Sequence, residues 1–232
     1  MVVRKRYSLG CIFFNLPRRG QGEWDYWTCS CAAENGHLDV LIWARENGCE
    51  CNWDFIYKCA AQYGYLDVLK WARENNEEMI QSPTVSFSTL LLQEQGYDWN
   101  CYTCSTSALN GHLDVLIWAR ENGCDWDSYT CSNAAHNGHF ETLKWARENG
   151  CDWDSCTCSN AARYGHLEIL KWARENGCDW DSYTCSNAAL NGHLDVLIWA
   201  RANGCDWDSC TCSNAAQNGH LDVLKWARAN GC

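Results

Sequence analysis

The chain has 232 residues, 47% of them apolar, with 29 Asp and Glu against 18 Lys and Arg for a formal net charge of −11. The acid excess argues against non-specific nucleic-acid binding, which rewards clustered positive charge, and the apolar content is too high for a disordered chain. No apolar run approaches the roughly 18 residues of a membrane span, so neither nucleic acid nor membrane is an expected partner. What stands out is 15 Trp and 19 Cys beside only 2 Pro.

Residues 1–22 read as a basic N-terminal arm: Arg4, Lys5, Arg6, Arg18 and Arg19 lie in the first twenty residues, with no acid among them. The apolar stretch 11–14 is too short for the core of a secretion signal. The expected compartment is therefore the cytoplasm, with mitochondrial or nuclear targeting by the arm left open.

From residue 23 the chain repeats itself. The segment from Asp179, DWDSYTCSNAALNGHLDVLIWARANGC, returns from Asp206 as DWDSCTCSNAAQNGHLDVLKWARANGC. Such self-similarity at a fixed period is the mark of a solenoid. Stepping back by the same interval places units near 23–50, 51–77, 98–124, 125–151, 152–178, 179–205 and 206–232, with a shortened, degenerate unit at 78–97. The Trp and Cys totals are this pattern multiplied.

Each unit predicts two short helices. Asp at position 3 or Ser at position 4 caps the first, over positions 5–12, and Asn-Gly at 13 and 14 ends it. The second begins after His at 15, and its apolar residues fall at 16, 18, 19, 21 and 22, a helical spacing. Asn-Gly at 25 and 26 ends it. Helices this short are unstable alone, so stacking must hold them. In the degenerate unit, Ser82 and Pro83 predict the start of a single helix over 83–95. The array is expected to be weakest there, with a bend between the flanking repeats.

The string NGHLDVLKWARANG at 218–231 and its upstream copies resembles the second half of the ankyrin repeat, and YTCSNAA at 183–189 stands where that family has TPLHxAA. The unit is about six residues shorter than the family's 33. The shortfall falls where ankyrin proteins build a β-hairpin finger. The resemblance implies an all-α solenoid of ankyrin-like helix–turn–helix repeats, a non-enzymatic protein-binding role and no cofactor.

The cysteines recur at position 7 (Cys29, Cys104, Cys131, Cys158, Cys185, Cys212) and position 27 (Cys49, Cys124, Cys151, Cys178, Cys205, Cys232). Equivalent residues in stacked helices lie about 8–10 Å apart, beyond the ~7 Å Cα limit of a disulfide. Buried structural thiols are therefore expected. The C-x-C pairs, such as Cys156 and Cys158, lack zinc-knuckle spacing. The histidines at position 15 (His37, His112, His139, His166, His193, His220) have no recurrent nucleophile beside them and read as bonding the turn backbone. Trp at positions 2 and 21 reads as packing between layers.

Where the stack leaves freedom, the repeats differ from one another. Position 12 is Glu34, Gln62, Leu109, His136, Arg163, Leu190 and Gln217; position 13 is mostly Asn but becomes Tyr63 and Tyr164. In ankyrin arrays this place points into the concave groove, so these nine residues are the candidate partner-binding set. The alternative is drift at positions of no consequence. The reading is a scaffold for a protein partner; the competing readings are a recently expanded array with no selected partner and a Cys-rich metal-binding protein. At the last repeat, Cys212, Ala215, Ala216, Leu221, Val223, Leu224, Trp226 and Ala227 match buried positions upstream. Part of this set should face water, which predicts either further sequence or self-association end to end.

The reduced, freshly purified protein should carry well under one equivalent of tightly bound zinc. Elemental analysis finding stoichiometric zinc, with helicity lost on chelation, would replace the structural-thiol reading by a metal site.

Overall fold

The computed structural model describes residues 26–81 and 101–232, as fourteen α-helices with no strand among the described residues. The basic arm and the expected helix at 83–95 lie outside them. The helices come in antiparallel pairs, one per repeat. First helices are α1 (Tyr26–Glu34), α3 (Trp53–Tyr63), α5 (Cys101–Asn110), α7 (Ser128–His136), α9 (Ser155–Arg163), α11 (Ser182–Leu190) and α13 (Ser209–Gln217). Second helices are α2 (Leu38–Glu46), α4 (Leu66–Gln81), α6 (Leu113–Glu121), α8 (Phe140–Glu148), α10 (Leu167–Glu175), α12 (Leu194–Ala202) and α14 (Leu221–Ala229). Each pair stacks on the next, giving an all-α solenoid.

Local chemistry sets the helix ends. Of the two candidate caps, the Asp at position 3 serves: Asp127, Asp154, Asp181 and Asp208 each accept the backbone N–H two residues on, at 2.9–3.1 Å. A cap of this kind is worth about 1 kcal/mol. Ser128 and Ser182 donate to the free oxygen of the next repeat's capping carboxylate, Asp154 at 2.9 Å and Asp208 at 3.3 Å. At the far end of the pair, glycine at position 26 takes the left-handed conformation that stops the second helix, as Gly150 does with φ +86°. The repeat from Cys51 has Asn75-Asn76 instead, and α4 runs on to Gln81.

The core is a ladder of equivalent side chains. Leu41, Leu69, Leu116, Leu143, Leu170 and Leu197, all at position 19, are completely buried, together with the position-22 alanines of the same helices. First helices contribute Ala and Cys, and these small residues let successive first helices pack closely. The second helices carry Leu and Trp and make far fewer contacts with the next second helix. Close spacing on one side and wide spacing on the other bends the stack with the first helices inside.

Two devices lock repeat to repeat. The first is a ring against a glycine. A Cβ built on Gly111 would lie 2.5 Å from Nδ1 of His139, and one on Gly138 would lie 2.7 Å from Cε1 of His166. The other nitrogen, Nε2, meets the position-12 carbonyl of the preceding repeat: His112 to Gln62, His166 to His136 and His220 to Leu190, all at 3.1 Å. A carbonyl only accepts, so Nε2 carries the proton. The histidines thus do bond backbone, but that of the repeat before. The second device is an asparagine at position 9 donating to the preceding position-8 carbonyl, Asn133 to Ser105 and Asn160 to Ser132 at 3.2 and 3.1 Å.

The same lock crosses the degenerate unit. A Cβ on Gly64 would lie 2.6 Å from His112, and α3 packs directly on α5. The repeats on either side of it are therefore stacked on each other as neighbours.

The short turn between repeats is held by aromatic and cationic side chains. Trp126, Trp153, Trp180 and Trp207 meet Trp145, Trp172, Trp199 and Trp226 of their own repeats edge to face, with centroids 5.6–5.9 Å apart. Over each turn indole lies the guanidinium of the preceding repeat: Arg120, Arg147, Arg174 and Arg201, at 4.2–4.3 Å. Each of these arginines also donates to the position-27 carbonyl that opens the turn. Cation–π contact and hydrogen bond together fix the linker without a hairpin.

The recurrent cysteines are free thiols and buried, as expected, except in the last repeat, where Cys212 and Cys232 are half-buried. They are nevertheless paired within every repeat that carries both, position 7 facing position 27; Cys29 and Cys49 have sulfurs 3.0 Å apart. In the repeat from Asp125, the Cys131 thiol donates to Cys151, which with burial pushes Cys131 up and holds Cys151 below the usual thiol value. At the last repeat, Ala216 and Leu221 are exposed and Cys212, Leu224 and Trp226 half-buried, whereas Ala215, Val223 and Ala227 stay buried.

Gly111→Ala and Gly123→Ala separate the two glycine roles. Both sites have positive φ, +75° and +82°, but only Gly111 faces a ring. The left-handed backbone alone should cost Gly123→Ala roughly 1–2 kcal/mol, and Gly111→Ala should lose clearly more because His139 must move. Equal shifts of the urea midpoint would show that the ring contact contributes nothing.

Candidate functional site

The inner row of first helices carries the candidate side chains at its C-terminal ends. Glu34, Tyr63, Arg163, Tyr164 and Gln217 are exposed; Gln62, Leu109, His136 and Leu190 are half-buried; none is buried outright. Their backbone is spoken for even where their side chains are not. The position-12 carbonyls of Gln62, His136 and Leu190 accept from the histidines described above, and those of Leu109 and Arg163 from asparagine at position 13 of the next repeat: Asn137 donates to Leu109 at 2.7 Å and Asn191 to Arg163 at 2.6 Å.

That use of Asn gives Tyr63 and Tyr164 a physical meaning. The other asparagines at this position turn back on their own helix, Asn110 to the Thr106 carbonyl at 2.9 Å and Asn218 to that of Asn214 at 3.0 Å. A tyrosine at position 13 can make neither kind of bond and displays a ring instead. Tyr164 lies on His136, with ring centroids 4.0 Å apart and planes at 48°, and Arg163 holds its guanidinium 5.9 Å from the same ring. Tyr63 lies 5.9 Å from Tyr65. Its phenol is pushed above the usual tyrosine value by partial burial and then by the charge of Glu34. The candidate set thus gathers into two aromatic clusters, Glu34–Tyr63 and His136–Arg163–Tyr164. Gln62, Leu109, Leu190 and Gln217 join neither.

A second row escaped the sequence reading. Position 5, in the first turn of the helix, holds Tyr102, Tyr129 and Tyr183, which are 73%, 65% and 67% exposed. Cys156 and Cys210 occupy the same place in their repeats and are also exposed. Position 5 precedes position 12 by seven residues, two helical turns, so the two rows share one face. The available signal was a bulky aromatic directly after the helix cap, where nothing in the helical pattern buries it.

Among the described residues no group of three or more His, Cys, Asp or Glu is placed to hold a metal ion. Nor is any described helix long and apolar enough to cross a membrane. Residues 131–174 match the family model for ankyrin repeats in many copies. No curated protein matches the chain.

Replacing Tyr164 by the Asn that other repeats carry separates structure from display. Tyr164→Asn should leave stability unchanged or raise it by up to about 1 kcal/mol, since the amide can bond the His136 carbonyl. A loss above about 1 kcal/mol in urea unfolding would make Tyr164 a packing residue.

Proposed function

Because the chain is an array of ankyrin-like repeats, which are generally protein–protein interaction modules, we propose that it is a non-enzymatic scaffold binding a protein partner through the inner face of its first helices. The observation that carries this reading is the exchange at position 13. Two repeats replace the usual asparagine, which in other repeats bonds a backbone carbonyl, by an exposed tyrosine. Arg163 holds its guanidinium 5.9 Å from the Tyr164 ring, and the charge of Glu34 acts on Tyr63. Rings and arginine on a partly buried surface are the residue types that dominate protein recognition.

The histidines fit no catalytic role. Where a carbonyl engages Nε2 and a glycine covers the ring, as at His112, His166 and His220, the imidazole has no free nitrogen facing an open site. The protein's function then lies in what the inner face holds.

Affinity capture with the full chain and with a Tyr63→Asn, Arg163→Ala, Tyr164→Asn triple variant tests this. Proteins held by the parent chain should fall by about tenfold or more on the variant, as expected when aromatic and arginine anchors are removed. Identical capture by two equally helical proteins would remove the inner face from consideration.

A further inference from the structure

The exposed row at position 5 sits in a strongly one-signed setting. Segments 125–132, 152–159, 179–186 and 206–213 each contain two Asp and no Lys or Arg. The position-1 carboxylates Asp125, Asp152, Asp179 and Asp206 are exposed. Asp154 and Asp181, one from its own repeat and one from the next, both act on the Cys156 thiol, which burial and these charges together push up. The geometry at the tyrosines agrees: the Tyr129 N–H bonds Asp127 at 3.1 Å while the adjacent Ser128 reaches Asp154 of the next repeat at 2.9 Å. Tyr183 stands likewise between Asp181 at 3.0 Å and, through Ser182, Asp208 at 3.3 Å. The repeat of Tyr102 has Asn100 in place of its own capping aspartate. The cations of the neighbouring turns are committed to indole rings and carbonyls.

A tyrosine ring beside a carboxylate suits an ammonium or guanidinium, which can lie on the ring face and bond the oxygen. The same charge repels phosphate backbones and acidic peptides. Successive helices are about 8–10 Å apart, and an extended chain advances about 3.3 Å per residue. Every third residue of such a chain reaches the next repeat. Exposure near two-thirds means that Tyr129 and Tyr183 contribute little to the core and present most of their bulk at the surface.

We propose that the row of Tyr102, Tyr129 and Tyr183 with its flanking aspartates is a docking strip for an extended basic segment of a partner protein, carrying Arg or Lys at every third residue. The strip rests on the scaffold reading and gives it a partner chemistry. It shares the inner face with the position-12 and position-13 clusters but uses none of their side chains.

The probe is a labelled synthetic peptide of about five Arg-Ser-Gln triplets, matched to the repeat spacing. Its controls are a peptide of the same composition with all arginines in one block, and a Glu-Ser-Gln counterpart. Fluorescence anisotropy with the full chain should show the spaced peptide binding at least about tenfold tighter than the blocked one, the glutamate peptide not binding, and affinity falling with salt. Tyr102→Ser/Tyr129→Ser/Tyr183→Ser and Asp154→Asn/Asp181→Asn should each weaken it by about tenfold; Asn keeps the cap acceptor, so helicity should hold. In the unmodified protein, peptide should slow alkylation of Cys156, a native reporter inside the strip. Equal binding of spaced and blocked peptides, no binding at about 100 µM, or unchanged Cys156 alkylation at saturation would each overturn the strip. If the strip fails while the Tyr63, Arg163 and Tyr164 variant still loses its captured proteins, the scaffold reading stands. If both fail, neither survives.

Discussion

The whole array depends on one contact, a ring of each repeat seated on a glycine of the repeat before it. The helices are mostly nine residues long, too short to persist alone, so only the joints between repeats keep them folded. Glycine at position 14 does two things there. Its positive φ ends the first helix, and its missing Cβ leaves the space that a histidine fills. The carbonyl two residues earlier then accepts from the same ring, so register and spacing are set together. Where the ring is Tyr65 against Gly36, the seat is the same and only the occupant differs.

This joint makes a short repeat workable. A 27-residue unit leaves only a few residues to travel from one second helix to the next first helix, with no room for a hairpin. The turn is fixed instead by an arginine that donates to its first carbonyl and covers its tryptophan, and by a second tryptophan meeting that ring edge-on. Small residues on the first helices and large ones on the second then give the stack its curvature. The face that results is narrow, continuous and lined by first helices.

A stack so tightly specified restricts where recognition can occur. Positions 7, 10, 11, 18, 19, 22 and 27 are core, positions 9, 14 and 15 are joint, and positions 2, 21 and 23 are turn. What remains on the inner face is position 5 at one end of each first helix and positions 12 and 13 at the other. Those positions hold the exposed tyrosines, the lone inner-face arginine Arg163, and the only departures from asparagine.

Much of this was legible before any coordinates. Tandem self-similarity and helical spacing within each unit determine an all-α solenoid, because equivalent residues in a stack must meet equivalent neighbours. Buried Cys at positions 7 and 27 and variability at position 12 follow from the same logic. Other features depended on which different positions meet in space. Cys29 faces Cys49 across twenty residues of a helix hairpin, a pairing that comparing equivalent layers does not reveal. The histidines read as local turn residues until the next repeat is placed above them. Tyr129 looked like ordinary consensus, and its exposure is decided by the angle at which α7 packs between its neighbours. Sequence alone determined periodicity, because that is a property of the chain. Pairing, exposure and the direct stacking of α3 on α5 were decided by tertiary structure, because they depend on distances between residues that the repeat pattern does not align.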